Sequence, residues 1–180
     1  MTRTAVLSVV CLAMASPAFA QGKALAEALD RMHAGVSRNV VEAAEKMPEA
    51  EYAFQPTKDV RTFAGFVGHV ANAEFGYCAR VKGEANPNKQ DFEKVAGKAA
   101  LVAGLKAAVA YCDAVYKMQT DAALSEMISM GQSQQPRGQV LVQNISHSNE
   151  HYGNLVTYMR IKGLVPPSTE RATAPRPGGR

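Results

Sequence analysis

His147 and His151 stand four residues apart in the stretch His147-Ser148-Asn149-Glu150-His151. On a helix that spacing stacks two imidazoles one turn apart, so both can grip one ion without bending the backbone. A third ligand must come from another segment, and His69 is the candidate. Neutral imidazoles suit a divalent cation, zinc or nickel foremost, and three of them leave a coordination position open. Water held there is acidified towards a pKa of about 7 and becomes a hydrolytic nucleophile. At about 100° per residue Glu150 lies beside His147, either near the ion or as a surface carboxylate. Glu150 or Tyr158 is the candidate proton shuttle. The plainer alternative is a pair of half-exposed helix histidines, with His69 an ordinary helix residue. His33, beside Met32 on an apolar stripe, is placed outside the site.

The same five residues match the H-x-x-E-H of inverted zinc peptidases. Those enzymes need a further acidic ligand well downstream in a larger domain. Only the rest of one helix and a basic tail follow here, so that assignment is rejected.

Four long helical segments are expected to carry these residues. In the first, Leu25, Leu29, Met32, Val36, Val40 and Met47 recur at three- and four-residue steps until Pro48. The second is expected from an Asp59 N-cap to Lys82-Gly83, with Phe63, Phe66, Val67, Val70, Glu74 and Tyr77 in helical phase. The third covers Lys94 to Met118 and is alanine-rich, which permits close helix approach. Thr120 to Gln135 reads as loop with a short turn, and the fourth helix runs from Pro136 to Ile161. Gly163 and Pro166-Pro167 end it. No strand is expected, and the fold class is all-α, a four-helix bundle. On the fourth helix Asn144, His147, His151, Asn154 and Tyr158 form a polar row beside the apolar one. Such a row should face a crevice where desolvated imidazoles need partners.

Residues 1–20 read as a secretory signal peptide: Arg3, an apolar run from Ala5 to Ala15, then Ala18-Phe19-Ala20 with cleavage after Ala20. The run is short of the roughly 20 residues of a bilayer span, so no stable membrane anchor is expected. The expected location is periplasmic or secreted. Residues 21–167 form the bundle and 168–180 a flexible basic tail. Loss of Arg3 takes 20 basic side chains to 19 against 16 acidic, a charge of +3 instead of +4. The signs are interleaved, which argues against a nucleic-acid partner.

With Cys11 in the leader, Cys78 and Cys112 remain. In an oxidising compartment a bridge between them is expected, the alternative being two buried thiols. Nine residues put Cys78 about half a turn out of phase with His69 and roughly 13 Å along the helix, so the two cannot share an ion.

The segment Arg61-Thr62-Phe63-Ala64-Gly65-Phe66-Val67-Gly68-His69-Val70, followed by His147-x3-His151-Tyr152-Gly153-Asn154 and on to Pro166-Pro167, resembles the DinB/YfiT-like family over nearly all of the mature chain. The resemblance implies an up-down-down-up four-helix bundle, often a homodimer, with His69, His147 and His151 binding a divalent metal. It supplies no reaction, since the family includes thiol-dependent transferases and isomerases, proteins thought to be hydrolases, and members without known activity. Export argues against a thiol-dependent S-transferase, because reduced small thiols belong to the cytoplasm. Two expectations follow: a metal-dependent hydrolase of an unidentified small-molecule substrate, or a non-catalytic metal-binding or interaction protein of the cell envelope.

Overall fold

The computed structural model describes residues 22–175; the expected leader and residues 176–180 lie outside them. Five helices and one hairpin follow in the order α1 (Ala24–Lys46), α2 (Phe63–Lys82), α3 (Lys98–Lys117), β1 (Met127–Met130), β2 (Ser133–Pro136), α4 (Arg137–Ile161) and α5 (Pro167–Thr173). The four long helices make the bundle. α1 packs on α3 and α4, and α2 packs on the same two, so α1 and α2 face each other across a diagonal.

Hydrogen bonds at the helix ends give the directions. Lys98 Nζ, at the start of α3, donates to the carbonyl oxygens of Glu45 (2.6 Å) and Met47 (2.8 Å) at the end of α1. Ala26 N, at the start of α1, donates to Asp121 Oδ1 just past α3 (2.8 Å), so the two helices are antiparallel. Arg137 Nη1, at the start of α4, donates to Val81 O at the end of α2 (2.8 Å). Tyr158 Oη, near the end of α4, donates to Arg61 O just before α2 (2.7 Å), so this pair is also antiparallel. α5 follows α4 and pairs Glu170 with Lys46 at the end of α1, which makes α1 and α4 parallel. The topology is up-down-down-up, as expected.

Apolar stripes build two cores stacked along the bundle. Val40, Met47, Phe63, Val67, Leu105 and Met159 belong to the first. Leu29, Val81, Val115, Tyr116 and Leu141 belong to the second. Between them along α1, α2 and α4 lie His33, Ser37, Glu74, Asn144 and Ser148, all buried. α3 is long and apolar enough to cross a membrane by composition. Its Leu101, Leu105, Ala108, Cys112, Val115 and Tyr116 are buried here in the bundle. Cys78 and Cys112 are bonded to each other across α2 and α3, their Cα atoms 5.4 Å apart, inside the usual disulfide range.

Several boundaries differ from the sequence reading, each for a local reason. Thr62, not Asp59, caps α2: its Oγ1 accepts from Gly65 N (3.0 Å). The next helix amides are satisfied by the connection, Phe63 N by Phe54 O (2.9 Å) and Ala64 N by Tyr52 O (2.8 Å). α3 begins at Lys98 because Gly97, at φ 86°, breaks the chain from the short 3-10 turn Phe92–Lys94. Within the expected 120–135 loop lies the β1–β2 hairpin, turned through Gly131 at φ 76°. Ser133-Gln134-Gln135-Pro136 carries no apolar alternation, so period-2 patterning had nothing to detect. Pro136 is the cap of α4, not its first residue.

The tail is also corrected. Residues 168–173 continue α5, opened by Pro167 at a position where a missing N–H costs nothing. Tyr152 Oη donates to Ser168 Oγ (2.7 Å), and Arg171 pairs with Glu42 and Asn39 of α1.

One glycine positions the site. A Cβ on Gly68 would lie 2.4 Å from Phe92 O, so only glycine lets the 92–94 turn seat against α2. Glu93 is thereby carried to His69, its neighbour on that helix.

Candidate metal centre

His69 comes from the middle of α2, and His147 and His151 from successive turns of the antiparallel α4. Their Nε2 atoms converge: His69 to His147 is 3.1 Å, and His147 to His151 is 3.1 Å. Three nitrogens at zinc-bond distances of about 2.0–2.1 Å and tetrahedral angles would stand about 3.3 Å apart. The two separations at His147 are close to that spacing, and all three ligand atoms lie within 4.8 Å of one another.

Proton accounting favours a cation. His69 Nδ1 lies 2.7 Å from Glu93 Oε1, so that nitrogen carries the proton it donates, which leaves Nε2 as the ligating atom. His147 Nε2 has a nitrogen 3.1 Å away on both sides, and its single proton or lone pair cannot serve both well. A metal ion supplies what all three Nε2 atoms need.

The surroundings of His147 and His151 keep these two imidazoles neutral. Burial, then the neighbouring imidazoles of His147 and His69, push His151 down to about 4. Burial, then His69, lower His147 below its ordinary 6.5, against the opposing pull of Glu150 and Glu74. At neutral pH both side chains are therefore unprotonated and ready to ligate.

A second layer orients the ligands. Glu93 Oε1 accepts the hydrogen bond from His69 Nδ1 while Oε2 accepts from Arg61 Nε at 3.0 Å. Burial acts to raise the Glu93 carboxyl, but the hydrogen bonds from His69 and Arg61 outweigh it and hold the group below 4.5. The Asn154 Nδ2 lies 3.3 Å from His151 Nδ1; with Nε2 committed to a metal, Nδ1 would carry the proton and the amide, flipped, would accept it through Oδ1. His147 Nδ1 is buried without a protein partner among the described residues. Carboxylate-histidine pairs of this kind set tautomer and ring orientation. Glu93→Gln is expected to weaken divalent-metal binding about 10- to 100-fold by calorimetric titration. Unchanged affinity would remove Glu93 from this role.

The other expected residues are placed differently. Glu150 is exposed and makes no hydrogen bond to the triad, although its charge is felt at His147. Tyr158 is buried, and its hydroxyl is committed to Arg61 O. The Phe66 ring packs against both Tyr158 (5.6 Å between centroids) and His151 (5.4 Å). No free shuttle at Tyr158 faces the triad. Asn144, expected in the same crevice, instead lies in the core with its Nδ2 3.2 Å from Glu74 Oε2. His33 is buried in that core with Glu74 and stays apart from the triad, as expected.

Sequence reasoning missed Glu93 and the Glu74 network. Glu93 sits 24 residues from His69 in what reads as loop, and no periodicity marks it. Glu74 is the one acid on the second helix's apolar stripe, a signal that could have found it. A groove of about 570 Å³ opens between α1 and α4, over Met32, Val36, Val142 and Ile145, but none of the three histidines lines it.

Known proteins agree with this architecture. The DinB superfamily pattern matches residues 25–155. No curated protein matches. A DinB-like protein from Bacillus cereus ATCC 10987, known from a crystal structure, superposes with a TM-score of 0.68 at 17% identity, covering 78% of this chain and 95% of that one. A DinB-like protein from Bacillus subtilis, YjoA, gives a TM-score of 0.64 at 19% identity, with coverage of 77% and 93%. At these identities the likeness speaks for the fold, and the match over residues 25–155 for the family: the chain belongs to the DinB superfamily.

Proposed function

We propose that this chain is an exported protein that binds one divalent ion, zinc or nickel, through Nε2 of His69, His147 and His151, and that the centre hydrolyses a small-molecule substrate. The convergence of three Nε2 atoms at 3.1 Å steps carries the reading. When bound, such an ion supplies Lewis acidity, polarising a carbonyl or phosphoryl oxygen and acidifying water. Glu93 keeps the proton on Nδ1 of His69, Asn154 does the same for His151, and Phe66 closes the side of the site towards Tyr158.

One observation favours a second reading, a non-catalytic metal-binding protein of the cell envelope. Glu150 is exposed and makes no hydrogen bond to the triad, and Tyr158 is occupied with Arg61 O, so neither serves as a ready acid or base. Metal analysis after metal-replete expression, with a panel of esters, amides and phosphates, separates the two. One ion per chain with turnover that His151→Ala abolishes supports the hydrolase. One ion without turnover, and a large fall in melting temperature on chelation, supports the binding protein. Absence of any divalent ion defeats both.

A further inference from the structure

The geometry points to Arg61 as an anion-binding residue beside the metal centre, selecting a ligand or substrate that carries a carboxylate or phosphate next to the group that meets the ion. The inference rests on the metal reading and names the substrate class for that site.

Arg61 is tethered from three sides. Its Nε donates to Glu93 Oε2 at 3.0 Å, while the other oxygen of the same carboxylate holds His69 Nδ1 at 2.7 Å, so one carboxylate spans the guanidinium and a ligand imidazole. Its carbonyl accepts from Tyr158 Oη at 2.7 Å, which pins the backbone to α4. Its Cζ lies 6.0 Å from the centre of the Phe66 ring, and the same ring sits 5.4 Å from His151. The guanidinium is thus bracketed between neighbours of two different ligands. Its charge is felt at both His147 and His151.

What this arrangement leaves free is the useful part. Neither Nη1 nor Nη2 makes a hydrogen bond to a described residue, and the side chain is 42% exposed. Two parallel N–H groups on a planar, permanently charged fork match the two oxygens of a carboxylate or phosphate. Held by Nε, the fork loses little rotamer freedom when it binds. An Arg serving only to clamp Glu93 would need Nε alone. Glu93 spends its charge on His69 and Arg61 together, so the cluster of three imidazoles, one carboxylate and one guanidinium carries no surplus anion to repel such a ligand.

The test uses the cobalt(II)-substituted full chain, whose visible spectrum reports ligands entering the metal's coordination. Inorganic phosphate is titrated as the anionic probe and imidazole as a neutral metal ligand, both at saturating cobalt, on wild type, Arg61→Ala and Arg61→Lys. Arg61→Ala is expected to bind phosphate about tenfold or more weakly while imidazole binding is unchanged, with Arg61→Lys in between. Equal phosphate affinity in wild type and Arg61→Ala overturns the inference and leaves the metal reading standing. Parallel weakening of phosphate and imidazole also overturns it, since Arg61 would then shape the metal site itself. A wild-type chain that shows no cobalt spectrum removes the metal reading on which the inference stands. Circular dichroism of each variant confirms that the helical fold is retained, and Arg61→Lys keeps the comparison valid should the alanine variant unfold.

Discussion

Glu74→Ala lowers the unfolding free energy by about 3–5 kcal/mol, the usual cost of removing one partner from a buried ionic network. For a chain of this size that is a fall in melting temperature on the order of 10 °C. Glu74 is wholly buried. Its Oε1 accepts from Ser148 Oγ at 2.8 Å, and its Oε2 meets His33 Nε2 at 2.9 Å and Asn144 Nδ2 at 3.2 Å. Alanine leaves these donors without an acceptor in a layer closed above and below by the two cores, and each orphan carries a desolvation cost. Glu74→Gln keeps the volume and is expected to cost less. Urea denaturation of the two variants measures this. A loss under about 1 kcal/mol in Glu74→Ala would mean that water or a local shift satisfies the donors.

The same network makes stability depend on pH. Burial pulls His33 down, but Glu74, with Asp113, outweighs it and raises His33 above 6.5. Asp113 Oδ1 stands 3.2 Å from His33 Nδ1, near enough for charge but not aligned for a hydrogen bond. A raised folded-state value means that the contribution is fully present below the unfolded value of 6.5 and is lost as pH rises through the folded one. Metal-free wild type should therefore lose stability on going from about pH 6 to about pH 9, and Glu74→Ala should lack that part of the slope. Parallel slopes in the two proteins would exclude His33 as the group responsible.

His147→Ala abolishes stoichiometric metal binding, with a larger loss of affinity than the roughly 10- to 100-fold expected of Glu93→Gln. His147 is the middle ligand, 3.1 Å from each of the other two, so its removal leaves two imidazoles without the nitrogen that joins them. An ion at about a thousand times its dissociation constant stabilises the folded chain by about 4 kcal/mol, and that increment should vanish in His147→Ala. Metal-dependent melting and mass analysis after dialysis read it. His151 is held at about 4 and His147 below 6.5, so neither has to release a proton at neutral pH. The sign in the metal-free protein is opposite to that of His33. With folded values depressed, stability is lost as pH falls from 6.5 through about 4, where the unfolded chain takes up protons that the folded one refuses. Retention of one ion per chain by His147→Ala would refute the three-histidine centre.

How far the site could be read from residue order varies with the interaction. The His147/His151 pair depends on one helical turn, and helical phase is a property of the sequence. His69 could be matched to it because its own helix shows a clear apolar stripe. Asn144 was assigned to the same row because three- and four-residue steps spread over a wide arc of the helix. That spread does not separate a flank from the face: His147 and His151 turn to His69, while Asn144 and Ser148 point at Glu74. The hairpin and α5 escape such a reading because the four residues of β2, or the seven of α5 that open on the second proline, carry too little periodicity to register.

The four long helices, where each of them stops, and the metal-ligand chemistry of the three histidines follow from local rules, apolar spacing, glycine and proline stops, and the reach of one turn. The role of Glu93, the wholly buried Glu74 with partners on other helices, the commitment of Tyr158 to Arg61, and the bridge between Cys78 and Cys112 in place of two thiols depend on which helices become neighbours and in which direction they run. Those contacts join residues tens of positions apart. Antiparallel packing of α2 on α4, parallel packing of α2 on α3, and the bare backbone of Gly68 under the 92–94 turn create them, and no periodicity within a single segment encodes such distances.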